Sequence, residues 1–310
     1  MSTRISDQVL VLIILMSVGF LSYKLKIVTK EVPGLFSNFI MKVSMPCLII
    51  TSFRRPFSRE LLWEAVIVMG IASAIYAFSL LLSLVYPYIL GMRGPERGVH
   101  RYAIIISNVG FIGFPVVETI MGRHYIFHAS IYNMISSFMA FSIAAWLMAK
   151  EGGKALVFSW RVFFNVPFVA TVAGFLVFLF SISFPEPVEQ SLRMVGAVTT
   201  PLAMAVIGIT IAQANIRKML ARWQIYITSL VRLLLIPALT GLACYFAGIR
   251  GPLLMLVVII CGMPAGSTTS ILATVYEVAE DEGSSLVVLT TILSLITIPL
   301  LVVVIQQFIG

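Results

Sequence analysis

Long apolar runs separated by short polar connectors fill this chain from end to end. The runs are continuous rather than alternating, which favours helices over the strands of a membrane barrel. A helix needs about 20 residues to cross the hydrocarbon core of a bilayer. The pattern therefore predicts an all-α polytopic membrane protein with ten transmembrane helices. These predicted spans cover residues 8–23, 34–53, 63–88, 99–121, 129–150, 160–183, 191–212, 224–247, 253–276 and 284–308.

The second half of the chain repeats the landmarks of the first. Glycine and proline interrupt span 4 at residues 108–115 and span 9 at residues 261–266, and Pro115 and Pro264 lie 149 positions apart in a chain of 310 residues. Five spans precede the Gly-Gly connector near residue 152, and five follow it. Because five is odd, the second repeat must enter the membrane from the opposite side. We predict two inverted five-helix repeats, 1–150 and 155–310.

Composition supports a membrane location. Sixty percent of the residues are hydrophobic and only 11% are charged, whereas soluble domains carry roughly 25% charged residues. The net charge of +8 resides largely in the short connectors, so it does not indicate a nucleic-acid partner. The connectors after odd-numbered spans carry more Lys and Arg than the others. We expect an integral protein of the plasma (inner) membrane, and the positive-inside rule predicts that both termini lie outside.

The two interrupted spans are the candidate substrate site. Proline removes a backbone donor and glycine eases non-helical backbone, so both helices should open near the middle of the membrane. Opened backbone at that depth is tolerated where it is buried in protein or lines a wet cavity, and a half-helix beginning near Pro115 would direct its N–H groups towards an anion. The candidate substrate-binding residues are Asn108, Gly110, Gly113 and Pro115 in span 4, and Met263, Pro264, Ala265 and Ser267 in span 9.

Ionisable residues within spans are costly and usually face a cavity or a partner. Lys42 lies in the middle of span 2 and is a candidate contributor to an anion site, with Glu60 or Glu64 as ion-pair partners. A structural Lys–Glu pair is the alternative. Glu118 could accept backbone donors of the opened helix or carry a coupled proton. Arg232 in span 8 is either a ligand contact or a structural charge.

Motifs for other chemistries are not found in the sequence. No Gly-rich phosphate loop ending in Gly-Lys-Ser or Gly-Lys-Thr occurs, which disfavours ATP-driven transport by this chain alone. Cys47, Cys244 and Cys261 lack metal-ligand spacing. No catalytic constellation is evident either. We therefore expect no enzymatic activity, no metal and no cofactor.

Several motifs resemble the auxin efflux carrier family of membrane transport proteins, over essentially the whole chain. Span 9 differs in having no asparagine matching Asn108. The short connector between spans 5 and 6 resembles bacterial members rather than plant exporters. The motifs are Asn-Val-Gly-Phe-Ile-Gly-Phe-Pro at 108–115, Pro-Leu-Ala-Met-Ala-Val-Ile-Gly-Ile-Thr-Ile-Ala at 201–212, Met-Pro-Ala at 263–265 and Ser-Leu-Ile-Thr-Ile-Pro-Leu at 294–300.

The resemblance implies a scaffold domain from spans 1, 2, 6 and 7 and a transport domain from spans 3–5 and 8–10. It also implies crossing broken helices at spans 4 and 9, with the substrate site at 108–115 and 263–265, and elevator-type movement. A homodimer through the scaffold helices would fit this family. The expected partners are thus a small organic anion, the lipid bilayer and a second copy of the chain.

The expected function is secondary transport of small organic anions, such as carboxylates or auxin-like acids. Coupling to protons or to sodium is open at this point. One alternative is a sodium-coupled symporter of the bile-acid type, which has a similar helix crossover. A second alternative is a membrane sensor that binds an organic acid without translocating it.

Overall fold

The computed structural model describes residues 2–155, 165–214 and 222–309. Regular structure in these ranges is helical, with no strand and one isolated antiparallel bridge between Ser107 and Ala265. The all-α prediction is confirmed for these residues. The α-helices are α1 (Ser2–Lys24), α2 (Val32–Phe39), α3 (Met45–Ser52), α4 (Arg59–Ile89), α5 (Gly94–Ile105), α6 (Phe114–Met121), α7 (Ile126–Met139), α8 (Ala145–Glu151), α9 (Val166–Leu179), α10 (Glu186–Ala197), α11 (Thr199–Gln213), α12 (Trp223–Leu230), α13 (Ile236–Phe246), α14 (Gly251–Cys261), α15 (Thr268–Val275) and α16 (Glu280–Ile309).

Within the described ranges, seven helical segments are long and apolar enough to cross a membrane. Three shorter apolar helices accompany them: Val109–Met121, Val166–Leu179 and Gly251–Cys261. The first two lie within the predicted spans 4 and 6, and the third begins two residues before the predicted span 9. The first residues of span 6 fall outside the described residues. The count of ten spans and their inverted symmetry remain predictions. The seven segments are Asp7–Lys24, Val32–Ser52, Arg59–Ile89, Arg123–Glu151, Glu186–Gln213, Trp223–Phe246 and Glu280–Gln307.

Four of the helical segments contain a five-residue π-helical turn, and three of these turns immediately precede an X-Pro pair. The turns at Ile40–Ser44, Val109–Gly113 and Val231–Leu235 are followed by prolines 46, 115 and 237. Proline has no N–H to donate to the preceding turn, and its ring crowds the carbonyl four residues back. A π turn widens the helix at that point. These helices therefore continue through their prolines.

The chain divides into two compact units. Unit 1 comprises Met1–Met69, Gly110–Met134 and Phe164–Ala214. Here α1 and α11 pack backbone to backbone, because glycine on each helix admits the other. A Cβ on Gly208 would lie 1.9 Å from the Met16 carbonyl oxygen, and one on Gly19 would lie 2.1 Å from that of Ala205.

An aromatic cluster also stabilises unit 1. The ring of Phe53, at the end of α3, lies 4.6 Å from that of Phe127 on α7. Gly174 on α9 leaves room for Phe53, since a Cβ there would approach its ring to 2.7 Å. Phe127 in turn packs edge-on against Phe178 at 5.3 Å. The cluster joins three helices that are distant in sequence.

Unit 2 comprises Gly70–Val109, Ile135–Phe163 and Asn215–Gly310. Within it, α5 packs closely on α8, where a Cβ on Gly98 would lie 3.0 Å from the Met148 carbonyl oxygen. Arg101 on α5 strengthens this contact by binding the Glu151 carboxylate and donating from Nε to the Ser83 carbonyl oxygen at 3.1 Å. Arg101 thus joins α5 to both α8 and α4.

Candidate functional site

The interruptions predicted in spans 4 and 9 are both present, and the structure brings them together within unit 2. Helix α5 ends at Ile105 and α14 ends at Cys261. Beyond these ends, the Asn108 N–H donates to the Pro264 carbonyl oxygen at 2.8 Å, and the Gly266 N–H donates to the Ile106 carbonyl oxygen at 3.0 Å. Two segments of extended backbone therefore satisfy each other where their helices stop.

The first break lies earlier than the sequence analysis predicts. Helix resumes at Val109 with the π turn, so Gly110 and Gly113 belong to that turn, and Pro115 belongs to α6. The expected half-helix beginning near Pro115 is therefore wrong, because the π turn accommodates the proline without ending the helix. The N–H groups that lack an intrahelical partner belong to the first residues from Val109 onwards.

Polar side chains join the two breaks. The Asn108 side-chain N–H donates to the Ser267 hydroxyl at 3.0 Å. Asn108 is 7% exposed, and Ser267 is exposed. The Tyr102 hydroxyl donates to the Thr268 hydroxyl at 2.9 Å. A serine hydroxyl therefore pairs with Asn108 where span 9 has no matching asparagine.

The side chains of the span 9 candidates Met263, Pro264 and Ala265 are not exposed, and it is their backbone that makes contacts at the break. All three are buried, and Met263 and Ala265 are 0% exposed. The Ala265 N–H donates to the Thr290 hydroxyl on α16 at 3.1 Å. At the candidate site they contribute backbone, and the carbonyl oxygens of Met263 and Pro264 accept hydrogen bonds from Arg232 and Asn108.

Arg232 binds the backbone of both breaks. Its side chain lies in the π turn after α12 and is 2% exposed. The guanidinium donates to the carbonyl oxygens of Ile104 at 3.1 Å, Cys261 at 3.0 Å and Met263 at 3.3 Å. These carbonyls belong to the C-terminal ends of α5 and α14 and to the turn beyond, where a helix dipole favours positive charge. The geometry assigns Arg232 a structural role at the break.

The expected pairing of Lys42 with Glu60 or Glu64 is wrong for the described residues. Lys42 is exposed and lies in the Ile40–Ser44 π turn of unit 1, and Glu60 is exposed at the start of α4. Glu64 instead accepts a contact from His128 Nε2 at 2.8 Å. This contact joins α7 to the second turn of α4.

Glu118 contacts a side chain rather than open backbone. Its carboxylate accepts a hydrogen bond of 2.6 Å from the Thr200 hydroxyl on α11, in unit 1. The expectation that it accepts backbone donors of an opened helix is wrong, because the helix is unbroken around it. Whether Glu118 carries a proton is not tested by this contact.

Two contributors, Tyr102 and Thr290, were not singled out from the sequence. They reside on α5 and α16 and touch the break only after these helices pack beside it. No local motif marks either residue, so sequence offered no signal for them. Thr268 directly follows Ser267 and extends the same polar stretch.

The chain is similar to known membrane transport proteins over most of its length. Residues 4–302 match the profile of the family described as "Membrane transport protein". An uncharacterised transporter of Methanothermobacter thermautotrophicus is 24% identical over 296 residues, covering 95% of this chain and 96% of the relative. A Rhizobium meliloti protein named "Putative malonate transporter" is 22% identical over 292 residues, covering 92% and 90%. An uncharacterised transporter of Methanocaldococcus jannaschii is 22% identical over 301 residues, covering 95% and 96%.

The family profile covers nearly the whole chain, both interruptions included. The apolar helices and the transporter relatives agree with it. This chain therefore belongs to the membrane transport protein family, the auxin efflux carrier family, and is an integral membrane transporter.

Proposed function

We propose that this transporter is a secondary carrier of small organic anions and that the paired breaks of unit 2 form its substrate site. The observation that carries the proposal is the junction of the two breaks, where Asn108 meets Ser267 and two extended segments pair. Paired discontinuous helices are where secondary transporters commonly bind substrate. The name of the Rhizobium meliloti relative suggests dicarboxylates as the first substrates to examine.

The chemistry at the break favours an anion. Helix begins at Val109 and again at Thr268, directly after the paired segments. The first N–H groups of a helix lack intrahelical acceptors and carry partial positive charge. The Ser267 hydroxyl is exposed and the Asn108 amide lies beside it. A carboxylate would accept hydrogen bonds from these groups, apart from the Val109 and Thr269 N–H groups, which already donate to the carbonyl oxygens of Ser107 at 2.9 Å and Gly266 at 2.8 Å.

Elevator-type alternating access is the movement that we propose. Unit 1 contains the predicted scaffold spans 1, 2 and 7 and most of span 6, and unit 2 contains spans 8–10 and most of span 3. The predicted transport spans 4 and 5 are divided between the units, with residues 110–134 in unit 1. This division supports a carrier in which the unit that holds the substrate site moves as one body. A homodimer through the scaffold helices belongs to the same proposal.

Sodium coupling of the bile-acid-symporter type is the rival mechanism. In transporters that bind sodium at broken helices, freed carbonyl oxygens at half-helix C-termini coordinate the ion. Here Arg232 donates to those carbonyl oxygens at both breaks. The structure therefore favours sodium-independent transport.

Uptake by purified protein in liposomes tests the proposal. Labelled malonate, malate and indole-acetate are supplied with and without sodium or pH gradients, and Asn108→Ala is compared with wild type. We expect saturable, sodium-independent uptake that Asn108→Ala reduces by about tenfold or more, because loss of one or two substrate hydrogen bonds costs about 1.4 kcal/mol or more.

The control variant is Asn38→Ala, an amide on α2 of unit 1 outside both breaks. It should transport at the wild-type rate. Equal uptake by Asn108→Ala and wild type would remove the break from the substrate site. Saturable binding without uptake in sealed vesicles would instead indicate the non-translocating sensor.

A further inference from the structure

A second polar cluster lies in unit 2, where α5, α12 and α16 begin. We call it the His100 cluster. It differs from the break in containing two carboxylates and a buried histidine. Its members are Tyr86, Glu96, His100, Arg222, Thr228 and Glu282.

The hydrogen bonds of Thr228 determine which nitrogen of His100 carries a proton. The Thr228 hydroxyl donates its single hydrogen to the Gln224 carbonyl oxygen at 2.9 Å. It must therefore accept from its two other neighbours, the Tyr86 hydroxyl at 2.8 Å and His100 Nδ1 at 2.6 Å. His100 thus holds a hydrogen on Nδ1. In its neutral form the lone pair of the ring is on Nε2.

That lone pair faces a carboxylate. Glu282 Oε2 lies 3.9 Å from His100 Nε2, and the two side chains are only 10% and 1% exposed. Arg222 binds the other carboxylate oxygen, Oε1, at 2.6 Å. Among the described residues, Oε2 is buried and has no hydrogen-bond partner. A buried acceptor opposite a lone pair is unfavourable until a hydrogen lies between them.

The net charge of the cluster also favours the binding of one proton. Arg222 binds both Glu96 and Glu282. The hydrogen bond to Glu96 raises the pKa of Arg222 above its ordinary value, so this side chain stays charged. One positive charge then faces two carboxylates. With neutral His100 the cluster carries one excess negative charge, which one bound proton removes.

Other charges lie near the cluster, but they pair elsewhere. Arg97 and Arg101, on the same helix as His100, both pair with Glu151 on α8, which leaves this group one positive charge in excess, yet neither guanidinium pairs with Glu282. Glu280, in the first turn of α16, accepts from the Thr274 hydroxyl at 2.9 Å, and Asp281 is exposed. Tyr86 donates to Thr228 and remains a phenol. Within the described residues, only the Arg222 guanidinium offsets Glu282.

We propose that His100 and Glu282 form a proton-binding site that couples anion transport to the proton gradient. One proton lies between Glu282 Oε2 and His100 Nε2 when the carrier is loaded, and it leaves when the anion is released on the same side. The proposal rests on the proposed carrier function and names its coupling ion. The connectors bordering this cluster belong to the side that the positive-inside rule predicts to be cytoplasmic.

Two variants remove proton binding but keep the hydrogen bonds to Arg222 or Thr228. Glu282→Gln keeps an oxygen for Arg222 and places an amide hydrogen towards His100, so it mimics the protonated carboxylic acid permanently. His100→Asn keeps a donor for Thr228 but removes Nε2. Asp281→Asn is the matched control, because this exposed carboxylate lies beside Glu282 in the same helical turn.

The experiment compares exchange with gradient-driven uptake of labelled malonate in liposomes. At equal pH on both sides, labelled anion exchanges for unlabelled anion without net proton movement. With an interior one pH unit more alkaline, a carrier that moves one proton with each anion accumulates the anion by about tenfold. We expect wild type and Asp281→Asn to show both activities, and Glu282→Gln to exchange without accumulating. A pH-sensitive dye inside the vesicles should report proton entry with malonate for wild type and Asp281→Asn, but not for Glu282→Gln.

Each outcome decides the proposal. Wild-type accumulation by Glu282→Gln would overturn the proton site and leave the carrier function intact. Exchange by wild type without any effect of the pH gradient would do the same. If Glu282→Gln does not fold, His100→Asn supplies the comparison, with loss of accumulation and retained exchange again expected. Absence of exchange by wild type for every acid would overturn the carrier function and the coupling with it.

Discussion

Arg232 shows how one side chain can stabilise irregular backbone at membrane depth. A guanidinium presents its donors in a planar fork, which lets it serve several carbonyls at once. The carbonyls here are those of Ile104, Cys261 and Met263. Ile104 belongs to α5 and Cys261 to α14, the two helices that end at the breaks. The negative ends of two helix dipoles meet the same positive charge. We infer that the position of the break depends on this residue.

Replacement of Arg232 should destabilise the protein and not merely slow transport. Arg232→Met leaves three buried carbonyl oxygens without their donor, and removal of charged hydrogen bonds of this kind costs about 3 kcal/mol or more. Arg232→Lys keeps the charge but cannot reach all three oxygens, so an intermediate loss is expected. The thermal unfolding midpoint in detergent measures both.

Arg250→Met is the matched control for this prediction. Arg250 also donates to backbone carbonyls, those of Tyr245 and Ile249, but it is exposed. Water can replace it there, so the loss should be small. Equal stability of Arg232→Met and Arg250→Met would mean that the buried guanidinium does not hold the break.

At the scale of the helix, glycine decides how closely two segments approach. The α1–α11 pair of unit 1 packs through Gly19 and Gly208, whose missing side chains leave room for carbonyl oxygens of the partner helix. Small residues serve the same purpose at helix contacts in membranes generally, because lipid provides no hydrophobic drive for association. The closeness of this pair therefore depends on two single positions.

Gly208→Ala should destabilise unit 1. The added methyl group would lie 1.9 Å from the Met16 carbonyl oxygen, so the two helices must move apart. Overpacking of this kind costs about 1–3 kcal/mol. Gly34→Ala on α2 is the control, since a Cβ there meets nothing within 4 Å. A lower unfolding midpoint for Gly208→Ala alone is expected, and a midpoint as high as that of Gly34→Ala would contradict the close contact.

The helical class and both interruptions could be predicted from hydrophobic runs and from the positions of glycine and proline. The position of the first break could not. Proline alone suggests that the helix ends near Pro115, whereas the structure inserts a π turn and places the break at residues 106–108. The same turn precedes Pro46 and Pro237. Local rules state that proline disturbs a helix, but the packing around it decides whether the helix ends or widens.

The side-chain pairs could not be predicted from the sequence either. Lys42 and Glu64 are plausible partners by charge and by predicted depth, yet Glu64 binds His128. Asn108 finds Ser267, a residue 159 positions away. Such pairs depend on which helices become neighbours, and a single sequence contains no direct record of that. The close contact at the glycines of α1 and α11 could not be predicted for the same reason.

At the scale of the whole molecule, the features to which we assign a role in transport lie in one of the two units. The breaks, Arg232 and the His100 cluster all belong to unit 2. A carrier must expose its substrate site to each side of the membrane in turn, while both coupled ligands stay on the same moving part. The proposed anion site and the proposed proton site lie in the same unit, which meets that requirement.

Alternating exposure of the break is therefore a testable consequence. In a background without Cys47, Cys244 and Cys261, Ser267→Cys places a thiol on the exposed residue beside Asn108. A membrane-impermeant maleimide should modify it from either face of sealed vesicles, and saturating malonate should slow the reaction at both faces. The reason is that one site opens to the two sides alternately.

Asp281→Cys in the same background provides the comparison. This position lies in the acidic first turn of α16 and should react from one face only, whether or not malonate is present. Labelling of Ser267→Cys from a single face under all conditions would contradict alternating access at the break. Labelling from both faces without malonate protection would show movement of the segment but place the substrate elsewhere. Only protection at both faces ties the moving segment to the transported anion.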